Sequence, residues 1–180
     1  MSKENNTEFK EAITLHQKGI NGDKKAAEKA FKQLKELKLM NHNDPLIEAY
    51  YGSASALVAR DHANLMEKTN YAKRGMKALD HAVTKDSSNM EIRMLRGNVA
   101  FRLPEMHFKR TSTAIEDFLY LIAAYEKEKG KGTITKDQYE DILFKLGKAY
   151  KNSNEDQKAK DVWTKLSSKN PKYKKQIEKG

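Results

Sequence analysis

The chain has no cysteine in its 180 residues. That excludes a disulfide framework and any zinc or iron–sulfur centre held by thiolates. Proline is scarce, at three residues, and glycine modest, at nine, so few positions interrupt a helix. No stretch approaches eighteen consecutive apolar residues, which leaves no candidate transmembrane helix. The N-terminal MSKENNTEFK carries no apolar segment of a signal peptide, so a cytoplasmic location is expected. Catalytic signatures are missing as well: there is no G-x-S-x-G elbow, no P-loop and no dinucleotide fingerprint. The five histidines, His16, His42, His62, His81 and His107, lie in separate segments with no i, i+4 pair and no HExxH. No metal, cofactor or enzymatic activity is expected. Hydrophobic residues make up 38% of the chain, fewer than in an average globular domain. Helices that each keep a solvated side tolerate that shortage.

Charge is plentiful. The formal net charge of +10 attracts acidic surfaces. Residues 141–180 hold eleven lysines against five acidic residues, and Lys165, Lys169, Lys172, Lys174, Lys175 and Lys179 are candidate phosphate contacts. Only six of the 35 basic residues are arginine, so bidentate phosphate recognition is under-represented.

Helical periodicity dominates the pattern. After a polar start over residues 1–6, expected to fray, Phe9, Ala12, Ile13 and His16 share a side of a short helix from Thr7 to about Lys18. Asn21-Gly22-Asp23 reads as a turn with Asp23 as N-cap. Ala27, Phe31, Leu34, Leu37 and Leu39 then mark a helix to Met40. Asp44 caps the next helix, with Pro45 in its first turn, and a further helix is expected from Thr69 to Lys85. The surplus length between them, around Asp61 to Asn70, must extend a helix or a loop. A turn over Asp86 to Asn89 precedes a third pair, whose second helix starts near Ser112 or Thr113. Thr135 with Gln138 forms a capping box for the last pair. Tyr173 and Ile177 would pack a C-terminal cap onto it.

The segment Asp141 to Pro171 is the most informative. Leu146, Gly147 and Tyr150 form one stripe, and Ala159, Trp163 and Leu166 another at i, i+4 and i+7. Gly147 leaves room for a neighbouring helix, and Pro171 marks a helix end. On Leu146, Gly147, Tyr150, Ala159, Trp163 and Pro171 this segment resembles a tetratricopeptide repeat. Ala27, Phe31 and Leu34 repeat the second stripe; Tyr51-Gly52, Gly97 and Phe118 stand at related positions in the other pairs. Anchors at Phe31, Leu79, Phe118 and Trp163 are 48, 39 and 45 residues apart, longer than the family's roughly 34.

The resemblance implies an all-α fold, an α-α superhelix of tetratricopeptide-like hairpins. A single domain over 1–180 is expected, with pairs at 7–40, 45–86, 89–129 and 135–170 and a cap at 171–180. It further implies a concave surface lined by the first helix of each pair, where a protein or peptide partner binds. Projected from the glycine positions, that surface includes Ala49, Ser53 and Ala56, then Glu91, Met94, Asn98, Phe101 and Arg102, then Phe144, Lys148 and Lys151. Apolar patches would take side chains, while Asn98 and the cations would hold main chain or carboxylates. The chain lacks a clean version of the Lys, Asn and Arg set with which some family members grip a C-terminal carboxylate. The expected role is an adaptor or assembly scaffold. The alternative is a nucleic-acid-binding protein using the basic C-terminal region. A homodimer formed through the 102–111 insert is a further possibility. Membrane binding is not expected, because Tyr173 and Ile177 make a meagre apolar face.

Overall fold

The computed structural model describes residues 3–178, so the frayed start expected over residues 1–6 and the cap expected at 171–180 lie partly outside the described residues. Among the described residues the chain is all-α, with no strand. It divides into two compact units, Met1–Val99 and Ala100–Gly180. The boundary falls inside a helix, Met90–Arg102, and so divides the pair expected at 89–129.

In the first unit, α1 (Lys3–Ile20), α2 (Lys24–Met40), α3 (Pro45–Asp61) and α4 (Leu65–Lys85) are joined by short turns, and α5 (Met90–Arg102) begins after Asn89. The expected caps are in place. The Asp23 carboxylate accepts from Ala26 N at 3.0 Å, and Asp44 accepts from Leu46 N and Ile47 N with Pro45 in the first turn. Helix α1 begins at Lys3, ahead of the expected Thr7. Asn64 caps α4 at Leu65, so the surplus length around 61–70 becomes an extra turn of helix.

Helix α3 is the axis of this unit. Every residue from Ile47 to Ser55 is buried, and a helix without a solvated side must be surrounded by others. Helices α1, α2 and α4 surround it. Phe31 stacks on Tyr51 with ring centroids 5.4 Å apart, and Phe9 meets Tyr50 edge-on at 5.5 Å. Leu34, Leu37, Ile47 and Ala54 fill the space between. The tightest contact joins α3 to α4. A Cβ at Gly52 would sit 2.7 Å from the Gly75 carbonyl oxygen, and one at Gly75 would sit 2.6 Å from that of Gly52. The two backbones touch directly there, which no larger residue permits. Leu39, expected in the apolar stripe of α2, is exposed instead, because two residues beyond buried Leu37 it points to the opposite side of the helix.

The second unit contains α6 (Glu105–Phe108), α7 (Thr111–Lys127), α8 (Lys136–Asn152), α9 (Asp156–Lys169), a 3₁₀ turn (Pro171–Tyr173) and α10 (Lys174–Ile177). The 102–111 insert thus holds a short helix, and its Glu105 carboxylate accepts from Thr111 N at 2.8 Å and Thr111 Oγ1 at 2.6 Å. That satisfies an orphan donor at the start of α7. The capping box is formed: Thr135 N donates to Gln138 Oε1 at 2.8 Å, and Gln138 N to Thr135 Oγ1 at 3.2 Å. Tyr125 of α7 stacks on Tyr139 of α8 at 4.1 Å. The Tyr139 hydroxyl donates to Glu126 at 2.5 Å, and Glu126 also pairs with Lys165 of α9 at 2.5 Å. Between α8 and α9 the Trp163 indole lies over Gly147, in the space that a Cβ there would need, and its Nε1 donates to Phe144 O at 3.2 Å. Leu146, Ala159 and Leu166 close the core beneath it.

These two contacts predict the cost of altering them. Gly75→Ala should lower unfolding stability by about 1–3 kcal/mol, because backbone atoms must move apart. Trp163→Ala should cost about 3–5 kcal/mol through the cavity it leaves. Urea unfolding of each variant measures this, and an unchanged midpoint in either would contradict the packing described.

Candidate functional site

The residues projected onto a binding surface have different fates. Ser53 is buried: its Oγ lies 2.8 Å from His16 Nε2, because α1 covers that side of α3. It is not on an open surface, and buried Ala49 beside it is not either. In α5, half-buried Asn98 donates from Nδ2 to the Met94 carbonyl at 2.8 Å, and Gly97 is buried. Phe101 packs against Phe118 with centroids 6.0 Å apart, while Arg102 is exposed. Phe144 and Lys148 come together, the ammonium 5.0 Å above the ring, and Tyr173 from the C-terminal segment covers the same ring at 5.8 Å. Lys151 opens onto a cleft.

That cleft is the best-formed candidate site of the second unit. Helix α9 presents Asp156, Lys160, Trp163, Thr164 and Ser167 along one side, at spacings that keep them in line. Lys151 at the end of α8, with Lys174, Ile177 and Glu178 of the C-terminal segment, faces them across a volume of about 470 Å³. Lys151 pairs with Asp156 at 3.7 Å. Lys160 and Lys174 have no carboxylate partner among the described residues. The cleft therefore offers an apolar wall, Trp163 and Ile177, rimmed by the ammonium groups of Lys151, Lys160 and Lys174 and the carboxylates of Asp156 and Glu178. Such a site suits a ligand with an apolar side chain and adjacent negative charge. Reading the sequence for packing identifies Trp163, and reading it for charge marks Lys174 among the C-terminal lysines, but Lys160 is passed over. Its signal is the spacing 156, 160, 163, 167, which flanks the buried stripe of α9.

The first unit concentrates its polar chemistry on α3. Glu48, almost wholly buried, accepts from Lys38 Nζ at 2.9 Å and bonds His81 Nδ1 at 2.7 Å. His81 is thus fixed by a partner on a neighbouring helix while its ring stays half-exposed. The Tyr50 hydroxyl donates to Glu91 at 2.5 Å; burial first, then that bond, raise it well above the ordinary tyrosine range. Burial also lowers His16 from 6.5 to about 4, so its ring is neutral at neutral pH. Among the described residues no three His, Asp or Glu side chains converge as metal ligands. No described helix is long and apolar enough to cross a membrane.

No family model, curated protein or solved structure matches the chain.

The depressed His16 value makes stability depend on pH. The unfolded chain binds the proton near pH 6.5 and the folded chain only near 4, so stability is full above about pH 7 and falls between those values. The expected loss on going from pH 7.5 to 4.5 is about 2–3 kcal/mol greater for the natural chain than for His16→Gln. Denaturant titrations at both pH values measure it; equal losses would show that His16 is protonated inside the fold.

Proposed function

We propose that the chain is a non-enzymatic interaction module of tetratricopeptide-like helical hairpins, acting as an adaptor or assembly scaffold. Its second unit takes a short acidic peptide in the cleft between α9 and the C-terminal segment. The hairpins α1–α2, α3–α4 and α8–α9 support the reading of the fold, as does the Gly147–Trp163 contact, which pairs two positions of the repeat pattern. The observation that carries the functional reading is the pairing of an apolar wall with Lys160 and Lys174, neither in a close ion pair among the described residues although Asp156 and Glu178 line the same cleft. An apolar side chain of the peptide would cover Trp163 and Ile177 while flanking Asp or Glu residues reach the two ammonium groups. Ser167 and Thr164 line the same wall and offer hydroxyls to the peptide main chain. The volume lies within the usual range for a small-ligand or peptide-side-chain site, about 300–1,000 Å³.

Trp163 is the sole tryptophan of the chain, so its emission reports on the cleft directly. Titration with ten-residue peptides carrying a leucine flanked by aspartates should shift that emission with micromolar affinity. Lys160→Glu with Lys174→Glu should weaken binding at least tenfold, and the effect should shrink as salt screens the exposed charges. Emission indifferent to every such peptide, or binding untouched by the charge reversal, would reject the proposal.

A further inference from the structure

Several lysines of the second unit have carboxylate partners within it. Lys145 pairs with Asp141 at 2.5 Å, Lys165 with Glu126 at 2.5 Å and Lys158 with Glu155. Lys172 lies 3.9 Å from the buried Glu140. Lys148, Lys160, Lys169, Lys174 and Lys175 have no such partner among the described residues and are spread over α8, α9 and the C-terminal segment.

The first unit is different. Helices α2 and α4 lie side by side: Phe31 meets Tyr71 edge-on at 5.5 Å, and Lys85 Nζ donates to the His42 carbonyl at 3.3 Å where the two helices end. Both turn their solvated sides outward with Lys25, Lys32 and Lys35 on α2 and Lys73, Arg74 and Lys77 on α4, all exposed. None of the six has a carboxylate partner among the described residues; Arg74 is held over the Tyr71 ring at 5.2 Å. Glu28 and Glu36 interrupt the row on α2 without pairing to any of them.

We propose that this α2–α4 face binds the phosphodiester backbone of double-stranded nucleic acid without reading its sequence. Lys32 and Lys35, like Arg74 and Lys77, stand three residues apart, a rise of about 4.5 Å, while Lys25 lies two turns before Lys32 and Lys73 adjoins Arg74. The result is two sets of three cations, opposite in sign to a duplex that carries one negative charge per about 1.7 Å of its axis. Five of the six groups are ammonium ions, which neutralise phosphates but lack the planar fork that reads guanine edges. A bilayer fits the face less well. The large exposed apolar side chains of the two helices, Leu39 and Met40 at one end and Leu65 and Met66 at the other, leave the stretch between them purely polar.

Fluorescence anisotropy with a labelled 25-base-pair duplex of arbitrary sequence tests this on the full chain. Affinity near the micromolar range at about 50 mM salt is expected, insensitive to sequence and falling steeply as salt rises. Lys25→Gln with Lys32→Gln and Lys35→Gln should weaken binding at least tenfold and reduce the salt slope by roughly three. Lys73→Gln with Arg74→Gln and Lys77→Gln should do the same, and circular dichroism confirms that each variant is folded. Lys160→Gln with Lys174→Gln should leave duplex binding unchanged, which separates this face from the peptide cleft. The proposal is overturned if both triple variants bind like the natural chain, or if only the cleft variant loses affinity. It is equally overturned if phosphatidylserine vesicles or polyglutamate bind the face while the duplex does not.

Discussion

Two glycines on neighbouring helices set the spacing of the first unit. With Gly52 and Gly75 backbone to backbone, α4 comes so close to α3 that α3 loses its last route to solvent. Every polar group that α3 carries inward must then find a partner from another helix, because an unpaired buried polar group costs roughly 1–3 kcal/mol. Each does, and from a different direction. Glu48 takes Lys38 from α2 and His81 from α4; Tyr50 takes Glu91 from α5. Ser53 takes His16 from α1, and Ser55 donates to the Tyr71 carbonyl of α4 at 2.8 Å. Sliding any neighbour by one residue would break one of these bonds, so the polar set fixes the register that apolar packing alone leaves loose.

The second unit reaches close packing by the reverse device, a large ring laid on a glycine. Trp163 occupies the room Gly147 leaves and donates its only N–H to the Phe144 carbonyl, so the indole is at once a packing and a polar anchor. Its outer edge still reaches the cleft, which ties the candidate site to the most rigid contact of the hairpin. The two units also handle their lysines differently. In the second, Glu126, Asp141 and Glu155 hold ammonium groups close; on α2 and α4, Lys25, Lys32, Lys35, Lys73 and Lys77 form no ion pair among the described residues.

Much of the fold was legible because local chemistry dictates it. Asp23, Asp44 and Thr135 are caps in the structure as their positions require, and Pro171 follows the end of α9. The fate of the 61–70 stretch was not legible, since Leu65 and Met66 sit in the first turn of α4 with no apolar partner to announce a helix. Ser53 was placed on an open surface because a small polar residue reads alike whether it faces water or a buried histidine. Only the position of α1 distinguishes the two, and that is a tertiary fact. Lys160 was hidden for a related reason, and Lys174 stood out only as one of a run of C-terminal lysines: in sequence a lysine in a cleft looks the same as one that merely solvates a helix. The division between Val99 and Ala100 runs through an unbroken helical pattern, so periodicity gave no sign of it.

Residue-resolved amide hydrogen exchange tests the enclosure of α3 most directly. Amides of residues 47–59 should be the slowest in the first unit and should open only with its global unfolding, while the solvated sides of α2 and α4 exchange sooner. Amides around Gly52 that exchange as fast as those at the ends of α2 would contradict a helix closed in by its neighbours.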